Sequence, residues 1–275
     1  MMKIEIFDDF NLKKIADSGQ CFRFNEHGDG YEVTASSRHL FIKKSGEFEY
    51  ELDCSPDEYE NFWKNYFDLG LDYREIRGRI DKDEDDYLYR AAEFGKGIRI
   101  LRQDPWEMLI SFIISQRKNI PAIKASIEKL CAAVSRKIGT DSEGRAVYAF
   151  PTPEELAGLS DEKLASCSLG YRDKYVRQAA LDVASGAVSL DKWGDASDEE
   201  LMTGLLGLFG VGVKVANCEI LFGYHRLDAF PKDVWINRVL ELKYPNGFNF
   251  DKYAPYNGIM QQYLFYYSRN DGLIL

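Results

Sequence analysis

The chain has 275 residues, with 35 Lys+Arg against 45 Asp+Glu, so its formal net charge is −10 at pH 7. A composition of 45% hydrophobic and 29% charged residues is that of a globular protein and excludes a disordered or collagen-like chain. No apolar run approaches the roughly 18 residues of a membrane span, and the acidic N-terminus is unlike a signal peptide.

The negative charge is concentrated in the first third of the chain. Residues 1–96 contain 14 Lys+Arg against 23 Asp+Glu, whereas residues 97–275 contain 21 against 22. The net charge therefore does not exclude a phosphate-binding face in the second segment.

Cysteine and histidine patterns argue against a metal site. The five cysteines form no CxxC pair, and the three histidines form no HExxH pattern. An odd number of widely spaced cysteines also argues against a disulfide framework. We expect no metal bound by side chains and an intracellular, reducing environment.

The first 52 residues have the pattern of short strands, as in YEVTASS (31–37) and HLFIKKS (39–45). Aromatic residues at helical spacing predict a helix over 56–70. The acidic run at 81–86 is typical of a solvated helix start or a linker.

From about residue 97 the periodicity is helical. Asp104 before Pro105, with Glu107 at the third position, predicts a helix start, and Asn119-Ile-Pro121 ends that helix. Further helices are predicted over 122–134, 153–159, 161–168, 173–185 and 197–208. The fold class is therefore α+β, with a small antiparallel-sheet N-terminal domain (1–96) and a larger all-helical domain (97–275).

Residues 198–224 have the pattern of a helix–hairpin–helix. A helix ends near Leu208, Gly210-Val211-Gly212 makes a tight turn, and a second helix begins at Val213. Free amides and the positive end of the second helix dipole could bind a phosphate without net positive charge. The turn by itself is equally compatible with an ordinary connection that uses a C-cap glycine.

Lys214 is a candidate nucleophile. It lies in the first turn of an otherwise apolar helix, where the dipole opposes a cation and favours the neutral amine, which is nucleophilic. The alternative is a lysine that extends to solvent or to a phosphate. Asp233, 19 residues later, has the position of an N-cap but could also return to the hairpin and stabilise a developing sugar cation.

These features resemble the helix–hairpin–helix DNA glycosylases, and among them the 8-oxoguanine DNA glycosylase/AP lyase family in its short bacterial and archaeal form. Six family landmarks occur in order and span most of the chain: SGQCFR (18–23), LRQDP (101–105), LGYR (169–172), GVGVKVANC (210–218), PKDV (231–234) and PYNGIMQQYLF (255–265).

The resemblance implies a role for each matched residue. Lys214 would attack C1′ of the damaged nucleoside and form a Schiff base, and Asp233 would support the oxocarbenium-like transition state. The carbonyl of Gly19 would accept the N7–H that 8-oxoguanine has and guanine lacks. Phe265 and Cys218 would sandwich the flipped base, and Gln261 would bind its Watson–Crick edge.

Other matched residues would contact the DNA around the lesion. Tyr171 would wedge into the duplex and Arg172 would contact the orphaned cytosine. The amides of Gly210, Gly212 and Val213 would hold a phosphate, with a monovalent cation bound by hairpin carbonyls.

The chain departs from the animal-type members at three positions. Arg117 replaces an Asn that fills the gap left by the flipped base, and Ala122 replaces a second Arg that reads cytosine. Trp235 replaces a His at the phosphate. We therefore predict a weak preference for cytosine opposite the lesion.

The sequence predicts a bifunctional glycosylase and AP lyase that acts on damaged double-stranded DNA without a cofactor, as a cytoplasmic, nucleoid-associated monomer. The alternatives are a monofunctional glycosylase for another damaged base, a non-catalytic helix–hairpin–helix DNA-binding module and an acidic interaction protein.

Overall fold

An antiparallel sheet of five strands forms the N-terminal part of the protein, in the order β1-β5-β4-β3-β2. The computed structural model describes residues 1–270. The strands are β1 (Met2–Glu5), β2 (Phe24–His27), β3 (Gly30–Ala35), β4 (Arg38–Lys44) and β5 (Glu49–Leu52), and α1 (Leu12–Asp17) lies between β1 and β2.

Helices make up most of the remaining structure. The predicted helix over 56–70 consists of α2 (Pro56–Glu58), a π-helical turn (Tyr59–Trp63) and α3 (Lys64–Tyr66). The later helices are α4 (Tyr73–Gly78), α5 (Asp86–Gly95), α6 (Pro105–Ser115), α7 (Ile120–Val134), α8 (Pro153–Ala157), α9 (Asp161–Ser166), α10 (Asp173–Ala184), α11 (Leu190–Gly194), α12 (Asp198–Leu206), α13 (Val213–Phe222), α14 (Val234–Lys243), α15 (Phe250–Tyr253) and α16 (Asn257–Asn270).

Side-chain caps fix where many of these helices begin. Asp104 Oδ1 accepts a hydrogen bond from Glu107 N at 2.8 Å, and Asn119 Oδ1 accepts one from Ala122 N at 2.9 Å. Such a cap satisfies an amide that the helix leaves without a partner and contributes about 1 kcal/mol. The predicted start of α6 is thus explained locally. Asn119 and Pro121, predicted to end the preceding helix, instead cap and begin α7, which starts at Ile120 and not at 122.

The hydrophobic packing divides the chain upstream of the predicted boundary at residue 96. Apart from Phe22, which packs with the later helices, the buried apolar side chains up to Phe67 form a core with the sheet. Those from Tyr73 to Ile100 pack with the later helices. The reason is that α5 packs against α16, at the other end of the chain. The predicted boundary stays a prediction, but residues 73–100 share the helical core.

Gln20 joins the two cores. This fully buried side chain donates from Nε2 to Arg99 O at 2.8 Å and accepts at Oε1 from Leu101 N at 2.8 Å. Gln103 Nε2 in turn donates to Gln20 O at 2.9 Å. The loop after α1 is therefore held against the segment that leads into α6.

The α+β class is confirmed, but the second part of the chain is not purely helical. Two short strands, β6 (Lys137–Thr140) and β7 (Ala146–Tyr148), form a hairpin after α7. Ser142 at its tip donates from N and Oγ to Glu32 Oε1 at 2.9 and 2.8 Å, so the hairpin docks on the N-terminal sheet. Within residues 1–270, no helix is long and apolar enough to cross a membrane.

Candidate active site

The turn between α12 and α13 requires its first glycine. Gly210 has φ +85°, and a Cβ there would lie 2.3 Å from Cγ of Tyr175, so any other residue would be both strained and obstructed. Gln116 Nε2 donates to Gly210 O at 3.0 Å and holds the turn from the side of α6. The predicted helix–hairpin–helix is therefore present and rigidly supported.

The N-terminus of α13 is open to a ligand. Gly212 is its N-cap and provides no side-chain hydrogen bond to the first amides. No atom lies within 4 Å of a Cβ built on Gly212, and Val213 is 64% exposed. Exposed, uncapped amides at the positive end of a helix dipole favour a phosphate oxygen.

Lys214 is the second residue of α13 and is half-buried. Its Nζ lies 5.1 Å from the ring centroid of Phe112 on α6. Cys218, one turn along α13, is 3% exposed, and burial raises the pKa of its thiol although the charge of Lys214 opposes the shift. The amine of Lys214 therefore lies beside an aromatic ring and close to a buried thiol.

Asp233 is both a helix cap and a pocket residue. Its Oδ1 accepts from Ile236 N at 2.9 Å at the start of α14. Burial raises the pKa of this carboxyl, against the lowering effects of that hydrogen bond and of the charges of Lys214 and Arg269. Both predicted roles of Asp233 are therefore compatible with one conformation.

One cleft contains all six residues that the sequence implicated in catalysis and base recognition. Its volume is about 40 Å³, and it is lined by Gly19, Phe112, Lys214, Cys218, Phe222, Pro231, Asp233, Gln261, Gln262 and Phe265. Gly19 comes from the loop after α1, whereas Lys214 and Phe265 come from α13 and α16. Gly19 has φ +78°, and a Cβ there would lie 3.2 Å from Phe265 Cε1.

The amide of Gln261 has a defined orientation at the floor of the cleft. Its Nε2 donates to Pro231 O at 2.9 Å, and its Oε1 accepts from Gln262 Nε2 at 3.0 Å. One N–H and one lone pair of Gln261 stay available to a ligand. Gln262 Oε1 is buried without a hydrogen-bond partner among the described residues.

The loop between α6 and α7 presents Arg117 to solvent. On one side Gln116 is bonded to the hairpin, and on the other Lys118 Nζ donates to Ser126 Oγ and Ser168 O, each at 2.6 Å. Arg117 between them is exposed and has φ +50°, a left-handed conformation that non-glycine residues seldom adopt.

Tyr171 and Arg172 have different surroundings. Tyr171 is 46% exposed, as a side chain that enters a duplex would be. Arg172 is only 6% exposed, its Cζ lies 4.4 Å from the Tyr171 ring centroid, and it donates to Gln116 O and to Leu169 O. Arg172 would therefore have to become more exposed to contact an opposite base.

Several residues of the site were not found from the sequence. Phe112, Pro231 and Gln262 line the cleft but have the sequence patterns of ordinary core or loop residues. Gln116 holds the hairpin turn, and its position next to Arg117, which departs from the family pattern, was a signal that could have identified it. Trp235 lies half-buried in the first turn of α14. No group of three or more His, Cys, Asp or Glu among the described residues could hold a metal ion.

The arrangement fits displacement chemistry at a sugar carbon. A small cleft holds an amine on a helix N-terminus, a carboxylate beside it, and an aromatic ring with an amide for a planar ligand. The exposed hairpin amides lie next to the amine on the same helix, so a bound phosphate would place a nucleotide at the mouth of the cleft.

Two family models together match nearly the whole of the described chain. Residues 3–109 match the model described as 8-oxoguanine DNA glycosylase, N-terminal domain, and residues 110–246 match the HhH-GPD superfamily base excision DNA repair protein.

Individual relatives agree with these matches. The N-glycosylase/DNA lyase of Saccharomyces cerevisiae is 30% identical over 258 residues, which are 85% of this chain and 68% of that protein. The structure of MBOgg1 in complex with a low-affinity DNA ligand superposes with a TM-score of 0.91 at 40% identity, over 98% and 96% of the two chains. The 8-oxoguanine glycosylase/lyase of Clostridium acetobutylicum, in complex with double-stranded DNA containing cytosine opposite 8-oxoG, gives 0.89 at 33% identity over 99% of both.

Proposed function

Because this chain belongs to the helix–hairpin–helix base-excision DNA repair proteins with an 8-oxoguanine DNA glycosylase N-terminal domain, we propose that it excises 8-oxoguanine from duplex DNA and then cleaves the strand. The observation that carries the proposal is the meeting of Gly19 with Lys214 and Asp233 in one cleft. Gly19 lies nearly two hundred residues from the other two in the chain, and this activity uses all three.

Lys214 supplies the nucleophile. The lone pair of its Nζ forms a bond to C1′ while the bond from C1′ to N9 breaks. The base departs with the electrons of that bond and gains a proton, and Nζ loses one. The sugar ring then opens to a Schiff base. Loss of a C2′ proton and of the 3′ phosphate completes the β-elimination and nicks the strand on the 3′ side of the lesion.

Asp233 stabilises the sugar as positive charge develops on it. Its carboxylate lies in the same cleft as Lys214 and is held in place by its bond to Ile236 N. A preorganised charge of this kind lowers the barrier without reorganising in the transition state.

The base-recognition groups read the lesion. The carbonyl of Gly19 accepts the N7–H of 8-oxoguanine, and Gln261 offers its remaining N–H and lone pair to the Watson–Crick edge. The cleft is much smaller than ligand pockets of roughly 300–1,000 Å³. We therefore expect Phe265, whose ring lies over Gly19, to move aside and stack on the incoming base.

A trapping experiment tests this function. We expect the protein, mixed with borohydride and a duplex containing one 8-oxoguanine, to form a covalent adduct, because borohydride reduces the Schiff base. The matched control is the same duplex with guanine, which lacks the N7–H and should give no adduct. Absence of an adduct with both duplexes would contradict the lyase mechanism, and equal adducts with both would contradict recognition of 8-oxoguanine.

The identity of the base opposite the lesion should have only a small effect on the rate of excision. Ala122 cannot donate a hydrogen bond to cytosine, and the guanidinium of Arg172 is engaged with Gln116 O and Leu169 O. The exposed Arg117 can fill the gap beside any base. We expect single-turnover rates against C, A, G and T to lie within about 100-fold, since one base contact contributes about 1–3 kcal/mol. A cytosine preference above that range would overturn the prediction.

The proposal needs no organic cofactor, because Lys214 and Asp233 supply the reacting groups. A monovalent cation at the hairpin would use main-chain carbonyls. Among the hydrogen bonds described, Gly210 O is bonded to Gln116, whereas Val211 O has no partner and could bind such an ion. One chain supplies every residue of the cleft, which supports action as a monomer. Its proposed substrate places its action at the chromosomal DNA.

A further inference from the structure

Arg269 lies at the edge of the base-recognition cleft and has no part in the function proposed above. It follows Gln261 and Phe265 on α16 at successive intervals of four residues, so the three share one face of the helix. Its Cζ lies 5.2 Å from the Phe265 ring centroid, and its Nη1 lies 3.8 Å from a Cβ built on Gly19.

The guanidinium of Arg269 is exposed and carries no hydrogen bond or ion pair to another residue in the described range. By contrast, Arg23, Arg77 and Arg226 all donate to carboxylates. Arg269 is nevertheless close enough to Asp233 to influence it electrostatically. A cation without a partner in residues 1–270 thus lies beside the cleft that contains Lys214 and Asp233.

The helix dipole alone does not explain this arrangement. A cation in the last turn of α16 is favourable, but that interaction is satisfied wherever the side chain points. Here the side chain lies back over Phe265, toward the cleft. Along this face of α16, Gln261 is buried at the floor of the cleft, Phe265 is half-buried and Arg269 is exposed. The three side chains therefore extend from the floor of the cleft to its mouth.

We propose that Arg269 binds a backbone phosphate next to the flipped nucleotide and so positions its sugar over Lys214. When the base lies in the cleft, its sugar and phosphates stay at the mouth, where Arg269 is exposed. The planar fork of Arg matches two phosphate oxygens. This inference rests on the proposed excision of a flipped base, and it adds a contact outside the hairpin.

The test combines Arg269→Ala with DNA in which one phosphate at a time is a neutral methylphosphonate, from two positions 5′ to two positions 3′ of 8-oxoguanine. Single-turnover base release is measured for both proteins. We expect Arg269→Ala to lower the rate about 10- to 100-fold, the range of a charge-assisted hydrogen bond. One methylphosphonate should slow the wild-type protein similarly and leave Arg269→Ala unaffected.

If every methylphosphonate slows the two proteins by equal factors, Arg269 touches no phosphate and the inference is overturned. A second substrate, a duplex with a preformed abasic site, excludes contact with the base. A phosphate contact persists there, so Arg269→Ala should slow its cleavage too. Unchanged abasic-site cleavage together with slow base release would assign Arg269 to the base and overturn the inference.

Arg38→Ala is the matched control. Arg38 is also exposed, and its Cζ lies 4.2 Å from the ring centroid of Phe62, but on the N-terminal sheet. We expect its rates to lie within about twofold of wild type. Arg269→Lys keeps the charge and loses the fork, so it should fall between wild type and Arg269→Ala. Failure of the wild-type protein on both substrates would instead refute the proposed function.

Discussion

Lys214→Gln is expected to abolish the borohydride-trapped adduct and to lower base release by at least about 10⁴-fold, the scale of losing a catalytic nucleophile. Glutamine keeps the helix propensity of lysine and is one atom shorter, but it has no amine. The exposed amides of Gly212 and Val213 belong to the main chain, so binding of an 8-oxoguanine duplex should change by only a few-fold. Adduct formation, single-turnover rate and Kd are measured on the same duplex.

Lys232→Gln is the matched control for this variant. Lys232 precedes Asp233 and is exposed, but its Nζ lies over the ring of Phe250, at 5.6 Å from the centroid, and it does not line the cleft. We expect the adduct to form normally in this variant. An adduct that survives Lys214→Gln would show that another amine is the nucleophile.

Asp233→Asn should separate the two roles of this residue. Asparagine is as good an N-cap as aspartate, so the bond to Ile236 N and the thermal stability should be retained. The negative charge is lost, however, and base release should fall about 10²- to 10³-fold, as when one preorganised electrostatic group is removed. Single-turnover rates and melting temperatures of both proteins make the comparison.

Asp233→Ala provides the second comparison, because it removes both the cap and the charge. It should match Asp233→Asn in rate but lose a further ~1 kcal/mol of stability. Burial raises the pKa of Asp233, so the active carboxylate should be lost at a higher pH than for an exposed aspartate. The wild-type rate should therefore fall on acidification, and Asp233→Asn should lack this part of the pH profile. Equal rates for wild type and Asp233→Asn would remove Asp233 from catalysis.

Local signals in the sequence predicted much of this structure. Asp104 marks a helix start because a cap bonds to an amide only three residues away, and the same local rule explains the cap at Asn119, where the sequence predicted only a break. The glycine turn and the start of α13 at Val213 follow from similarly local requirements. The pairing of Gly19 with Lys214 could not be obtained this way, and it entered through the family resemblance.

Features that depend on tertiary contacts were missed. The β6–β7 hairpin depends on docking to Glu32, more than a hundred residues earlier, and such contacts often override local propensity. The buried position of Arg172 depends partly on its bond to Gln116 O, 56 residues earlier in the chain, which no spacing in LGYR reveals. Phe112 has the sequence pattern of a core residue, and only the crossing of α6 and α13 places it against Lys214.

The way Gly19 is held in the fold determines which property of the enzyme is lost first when the structure is weakened. Its neighbour Gln20 fastens it to the segment before α6, and this contact crosses between the two cores. Lys214, Asp233 and the hairpin all lie on the other side. If the contacts of Gln20 were weakened, the enzyme would therefore lose its selectivity for the damaged base before it lost its catalytic activity. The partly loosened enzyme would still cut abasic sites but would no longer distinguish an oxidised guanine from a normal one.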